Sequence, residues 1–150
     1  MKAGNRICLS GNSLTVQIEM KASRENLSDL LSFVEQACSQ YKISGKPRLD
    51  LKLAVEEACA NIIEHGYAGL APGTIEITFQ VKDHQASISI VDFGRKFNPK
   101  TYPPPDTSSE WDKRPVGGLG IFLITQLMDD VRYTSDTEKG NRLELIKNID

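Results

Sequence analysis

The chain has 150 residues, 18 of them lysine or arginine and 20 aspartate or glutamate, for a formal charge of −2, with 39% hydrophobic and 25% charged residues. That balance suits one globular domain, offers no basic stripe for nucleic acid, and holds no apolar run near the ~20 residues that a membrane span requires. A chain of this length buries roughly 70% of its unfolded surface, so it can fold without a disulfide or a metal.

The first residues, Met1 to Arg6, lead into strand-like sequence and not into the apolar core of a signal peptide. Ile7-Cys8-Leu9 reads as a short strand, and Leu14 to Met20 alternates apolar and polar residues as a half-buried strand does. Ser23 is placed to cap a helix, with Glu25 in its first turn favoured by the helix dipole. Leu27, Leu30, Leu31, Val34, Cys38 and Tyr41 then recur at helical spacing until Ser44-Gly45-Lys46-Pro47 breaks the helix. A second helix is predicted from about Leu49 to Glu64, with Leu51, Ala54, Val55, Ala58, Cys59, Ile62 and Ile63 as one apolar stripe and His65-Gly66-Tyr67 as its end. Thr74–Val81 and Ala86–Val91 read as a hairpin.

Residues from about Phe93 to Val116 lack periodicity and carry five prolines. A loop of this length within a compact domain suits a lid of about residues 95–116. Gly118–Met128 is a third helix, and Val131–Ser135 and Arg142–Ile146 are closing strands. The sum is α+β, a mixed or antiparallel sheet with helices on one face; two consecutive central strands disfavour a Rossmann arrangement.

The three cysteines, Cys8, Cys38 and Cys59, are odd in number, widely spaced and free of any CxxC pair, which points to a reducing compartment and a cytoplasmic protein. Cys38 and Cys59 fall on apolar helix faces and read as small buried hydrophobes. With His65 and His84 the only histidines, a His/Cys metal site is disfavoured.

Three short motifs carry chemistry. In Glu56-Glu57-Ala58-Cys59-Ala60-Asn61, Glu57 and Asn61 stand one turn apart on a single helix face. A carboxylate beside an amide oxygen suits Mg2+ or the orientation of a water or hydroxyl, although polar pairs at this spacing are also common on solvated faces. Val91-Asp92-Phe93-Gly94 ends an apolar strand with an acid that can accept from a purine amine and a glycine that lets the backbone approach a flat ring; an ordinary strand-ending turn has the same composition. Gly117-Gly118-Leu119-Gly120 places three glycines where a helix starts, an arrangement whose bare N–H groups bind phosphate, or else a hinge. No Gly-Lys-Ser/Thr follows, so it is not a P-loop. Arg95, Lys96, Lys113 and Arg114 flank the lid and can answer phosphate charge.

In this order the motifs resemble the ATPase superfamily of gyrase, sensor histidine kinases and mismatch-repair ATPases, and more narrowly the bacterial anti-sigma-factor serine/threonine kinases. The residues that carry the resemblance are Leu53 to Tyr67, Val91 to Gly94 and Pro115 to Ile124, and with the flanking elements it covers nearly the whole chain. It implies a two-layer α/β sandwich of the histidine-kinase-like ATPase type holding ATP between helices and sheet. In that scheme Asn61 coordinates Mg2+ and Glu57 is the general base for a serine or threonine hydroxyl. Asp92 receives the adenine amine, Gly94 passes the ring, and Gly117 to Gly120, with Leu119 and Arg114, hold the phosphates. The partners it implies are a STAS-type anti-sigma antagonist as substrate and a sigma factor as the sequestered protein, and homodimers are typical of that family.

The sequence departs from the family pattern at three points. Lys96, two residues after Gly94, stands where many relatives carry a second glycine; Gly140-Asn141-Arg142-Leu143 replaces the Gly-Thr-Thr pattern frequent in the wider superfamily, with its threonine contact to adenine; and the sequence shows no segment with a phosphoacceptor histidine. The alternative is an ATP-gated binding module of a partner-switching pathway without phosphoryl transfer.

Overall fold

A computed structural model describes residues 4–10, 13–96 and 118–149. Strands β1 (Gly4–Ser10) and β2 (Ser13–Lys21) precede helices α1 (Arg24–Gln40) and α2 (Gly45–Asn61) and a π-helical turn, Ile62–Gly66. Strands β3 (Thr74–Lys82) and β4 (Gln85–Asp92) follow, then α3 (Gly118–Leu127), β5 (Asp130–Asp136) and β6 (Gly140–Asn148). The six strands form one antiparallel sheet in the order β1-β2-β3-β4-β6-β5. Helix α2 packs on α1, α3 and β6, so the domain is the expected α+β sandwich. No helix among the described residues is long and apolar enough to cross a membrane.

Strand alternation sorts the sheet into rows. On the helix-facing side one row runs Val16, Phe79, Ile88, Leu145, Val131 and the next Ile18, Ile77, Ile90, Leu143, Tyr133. All but Tyr133, which is half-buried, lie in the core. The opposite side carries Gln17, Thr78, Ser89, Glu144 and Arg132 across the same five strands and is polar. The row at one end of the helix-facing side changes character midway: Met20 and Ile75 are followed by Asp92, Asn141 and Ser135. At the far end Lys147 pairs in register with Ala86. Its ammonium meets Asp50 of α2 at 2.9 Å and donates to the Leu127 carbonyl at 2.6 Å, which ties β6 to both α2 and α3.

Helix α2 begins at Gly45, four residues before the predicted start at Leu49. Pro47 lies in its first turn, where a missing N–H costs nothing because that group has no acceptor within the helix. Ser23 is the N-cap residue of α1, but its hydroxyl makes no capping bond; Asn26 instead reaches back to the Lys21 carbonyl at 2.9 Å. Helix α1 ends in a Schellman motif, with Ile43 N–H on the Cys38 carbonyl at 2.8 Å, Lys42 N–H on Ser39 at 3.2 Å, and Lys42 at φ 59°. Cys38 and Cys59 are free and buried, and burial pushes their thiols up to about 11 and about 12, so both act as small apolar side chains.

Candidate active site

The polar end of the sheet lies under the last turns of α2. Leu51, Ala54, Val55, Ala58, Cys59 and Ile62 are buried, and that leaves Glu57 and Asn61 on the flank of the same helix, half-buried. Burial raises the Glu57 carboxyl above its ordinary range, and the charges of Glu56 and Glu64 raise it further. Glu64 is itself paired with Arg24 at 3.0 Å. The Asn61 side-chain nitrogen is buried and has no hydrogen-bond partner among the described residues. Buried amides are almost always satisfied, and the Tyr41 and Ser89 hydroxyls are the other buried side-chain groups among the described residues without a partner.

Directly after Asn61 the helix widens into a π turn, closed by Tyr67 N–H on the Ile62 carbonyl at 3.2 Å. This turn brings Gly66 against the end of β4. Arg95 N–H donates to the Gly66 carbonyl at 2.7 Å, and a Cβ on Gly94 would stand 2.4 Å from that same oxygen. Glycine at 94 is therefore required by backbone packing, independently of any ring that passes it. Tyr67 completes the seam: its hydroxyl donates to the Thr74 carbonyl at 2.8 Å and accepts from Phe93 N–H at 2.8 Å.

Asp92 is 7% exposed at the centre of this seam. Its Oδ1 accepts from Gly94 N–H at 2.8 Å and from Asn141 Nδ2 at 3.0 Å, and its Oδ2 has no partner among the described residues. Burial raises the Asp92 carboxyl, while the Asn141 and Gly94 donors act in the opposite direction. No charged side chain among the described residues answers it. Asn141 is 5% exposed, and its amide also donates to the Gly94 carbonyl at 2.9 Å and accepts from the Ser135 hydroxyl at 2.8 Å. Gly140 precedes it at φ +83°, where a Cβ would meet the Asp92 carbonyl at 2.5 Å.

The structure thus brings Glu57, Asn61, Asp92 and Gly94 to adjoining segments. Gly118, Leu119 and Gly120 open α3, which packs on α2, and their N–H groups are the first of that helix and have no acceptor within it. Arg114, Gly117 and most of the lid lie outside the described residues. Ser135, on β5, joins the site without a motif of its own, while Gly66 and Tyr67 close the first motif and take their place from a π turn that has no composition signal.

The sequence profile of the histidine kinase-like ATPase domain matches residues 20–147. Serine-protein kinase RsbW of Listeria monocytogenes serovar 1/2a is 34% identical over 129 residues, covering 83% of this chain and 81% of the relative. Serine-protein kinase RsbW of Bacillus mycoides is 36% identical over 91 residues, 58% of this chain and 56% of that one. Among solved structures, the RsbU and RsbW domains of a Mycobacterium tuberculosis protein superpose with a TM-score of 0.65 at 18% identity, over 90% of this chain and 32% of that one. The histidine kinase domain of a blue-light-activated kinase from Erythrobacter litoralis gives 0.52 at 15% identity, over 83% and 60%. The two superpositions establish shared architecture, and the profile and the Listeria relative establish descent. This chain belongs to the histidine kinase-like ATPase family, in its branch of serine-protein kinases.

Proposed function

We propose that the chain binds Mg-ATP across the Asp92–Gly94 seam and transfers the γ-phosphoryl group to a serine or threonine hydroxyl of a STAS-type anti-sigma antagonist. In the same scheme it sequesters a sigma factor, as a cytoplasmic partner-switching kinase. What supports this reading is the Asn61 side-chain nitrogen, unpartnered among the described residues and one turn from Glu57, together with the buried Asp92 carboxylate, which meets no countercharge among them. Buried polar groups without a partner are costly unless a ligand answers them.

In the transfer, the substrate oxygen forms a bond to the γ-phosphorus as the bond to the β–γ bridging oxygen breaks, and ADP leaves. The hydroxyl proton passes to Glu57, whose raised basicity suits that acceptance. The Asp92 carboxylate accepts the adenine amine, and the first N–H groups of α3 face the phosphates. No cluster of three or more acidic, histidine or cysteine side chains occurs among the described residues, so a divalent ion would be held here by the side-chain oxygen of Asn61 together with the nucleotide itself. Such an ion supplies screening of the phosphate charge.

The test is transfer of labelled phosphate from ATP to a cognate antagonist, with Glu57→Gln and Asn61→Ala as variants. Loss of a general base lowers turnover by roughly 100- to 10,000-fold. Full transfer by Glu57→Gln removes Glu57 as the base. Tight ATP binding by the unaltered chain, with neither transfer nor hydrolysis, replaces the kinase reading by that of an ATP-gated binding module.

A further inference from the structure

Asn141 stands where the resembled family commonly has threonine, and the structure shows what the amide does in that place. Asp92, Asn141 and Ser135 are register neighbours on three adjacent strands, so their side chains lie side by side on one face. The amide nitrogen faces two acceptors, Asp92 Oδ1 at 3.0 Å and the Gly94 carbonyl at 2.9 Å, and the amide oxygen takes the Ser135 hydroxyl at 2.8 Å. Both acceptors require a donor, which settles the orientation of the amide. With Gly94 N–H also on it at 2.8 Å, Oδ1 carries two hydrogen bonds from the protein and is fully engaged. Only Oδ2 is left.

A carboxylate with two open oxygens takes guanine well, because guanine offers a paired N1–H and N2–H edge to both oxygens at once. A carboxylate with one open oxygen cannot form that pair. It suits a base with a single exocyclic amine and no adjoining ring N–H, which is the edge of adenine.

We propose that Asn141 is a specificity-positioning residue: by bridging Asp92 Oδ1 and the Gly94 carbonyl it makes Asp92 a one-oxygen acceptor, and so selects an aminopurine over guanine. The inference rests on the reading of Asp92 as the base-recognition carboxylate. Burial raises the Asp92 carboxyl, and the same bridge acts in the opposite direction by donating to its charged form. The titratable groups that face Asp92 are the Cys59 thiol from α2, pushed up to about 12, and the Tyr67 hydroxyl, also pushed up by burial. Both stay neutral through the acid range. β3 contributes the apolar Ile75, β6 the neutral Asn141, and the Arg95 guanidinium lies beside Gly69.

The experiment measures ATP and GTP dissociation constants of the full chain by calorimetry, across pH, for the unaltered protein, Asn141→Leu, Asn141→Ser and Asp92→Asn. Asn141→Leu is expected to weaken ATP about tenfold, the size of a lost hydrogen bond to a charged group, and to weaken GTP less, so that the ATP/GTP preference collapses. The acid limb of ATP binding moves to higher pH at the same time. Asn141→Ser keeps one donor but cannot span both acceptors, and falls between; it carries the test if the leucine variant fails to fold. An unchanged ATP/GTP ratio with an unchanged acid limb in a folded Asn141 variant overturns the proposal. Unchanged ATP binding in Asp92→Asn overturns the underlying reading of Asp92 instead, so the two failures are distinct.

Discussion

Replacing Asp92 by asparagine separates the architectural part of this residue from its ligand-binding part. Asparagine keeps an Oδ1 that can accept from Gly94 N–H and Asn141 Nδ2, the bonds of 2.8 and 3.0 Å that hold the seam. It removes a buried negative charge. Because burial raises the folded carboxyl above its unfolded value, the folded state binds a proton more tightly than the unfolded chain does. The stability contribution is then greatest at acid pH and falls as pH rises through the ordinary carboxylate range to the raised value. At neutral pH the ionised Asp92 therefore costs stability, and Asp92→Asn restores it or leaves it unchanged. The ligand side behaves in the opposite way. At Oδ2 a charged acceptor becomes a donor facing the adenine amine, and loss of a charge-assisted bond of about 1.5–3 kcal/mol weakens ATP by roughly 10- to 150-fold. Urea unfolding gives the first quantity and calorimetric titration with ATP the second. A stability loss beyond about 2 kcal/mol refutes the claim that the retained oxygen holds the seam, and an unchanged ATP dissociation constant in a stable variant removes Asp92 from base recognition.

Gly94→Ala drives a Cβ to 2.4 Å from the Gly66 carbonyl, a backbone atom that can yield only by breaking the Arg95 bond, so a loss of about 1–3 kcal/mol in thermal or urea unfolding is expected. Lys42→Gly relieves a lysine held at φ 59° in the Schellman motif and should stabilise the chain by about 1 kcal/mol in the same assay. Lys147→Met leaves Asp50, 4% exposed, with only the Lys46 ammonium, which is largely in solvent; a loss of about 3 kcal/mol follows. At Asp50 burial raises the carboxyl but the two lysines outweigh it, so the folded value is lowered. Its contribution is present above the ordinary carboxylate range and lost as pH falls through the lowered value, and Lys147→Met should flatten that acid-side slope. For the kinase reaction, the raised Glu57 carboxyl places the acid limb of transfer above the ordinary glutamate range, and Glu64→Gln, which removes one of the charges that raise it, shifts that limb to lower pH in a rate profile.

Much of this was legible in the residues themselves. The apolar stripe from Leu51 to Ile62 is the buried face of α2, and the alternation in Thr74–Val81 and Ala86–Val91 matches β3 and β4 to within a residue or two at each end. Glu57 and Asn61 share a flank because helical period leaves them no other arrangement. What could not be read came from tertiary contact. Ser44-Gly45-Lys46-Pro47 reads as a break between helices, but proline both terminates helices and opens them, and only the chain's path shows that Pro47 lies inside the first turn of α2. The π turn after Asn61 brings Gly66 to the backbone of Gly94 and Arg95, a contact across 28 residues that no local pattern announces. Asn141 was visible as a departure from a family pattern, but its function depends on register with Asp92 and Ser135, which is a property of the assembled sheet.

The two ends of the helix-facing sheet surface differ in how their ionisable groups are answered, which is what favours the proposed site at one of them. Each buries an ionisable group among apolar neighbours: Lys147 at one end, Asp92 at the other. Lys147 meets the opposite charge of Asp50 at 2.9 Å and a helix-terminal carbonyl at 2.6 Å, so its charge is answered inside the protein. Asp92 meets only neutral donors, both on one oxygen, and its second oxygen meets none among the described residues. Burial without a countercharge is a cost that folding alone does not repay, and it persists where a ligand recovers it. The expected signs of Lys147→Met and Asp92→Asn at neutral pH follow from that difference. The lysine variant loses stability because it strands a charge, while the aspartate variant keeps or gains stability because it removes one that no charged group among the described residues answers and that the proposed nucleotide would.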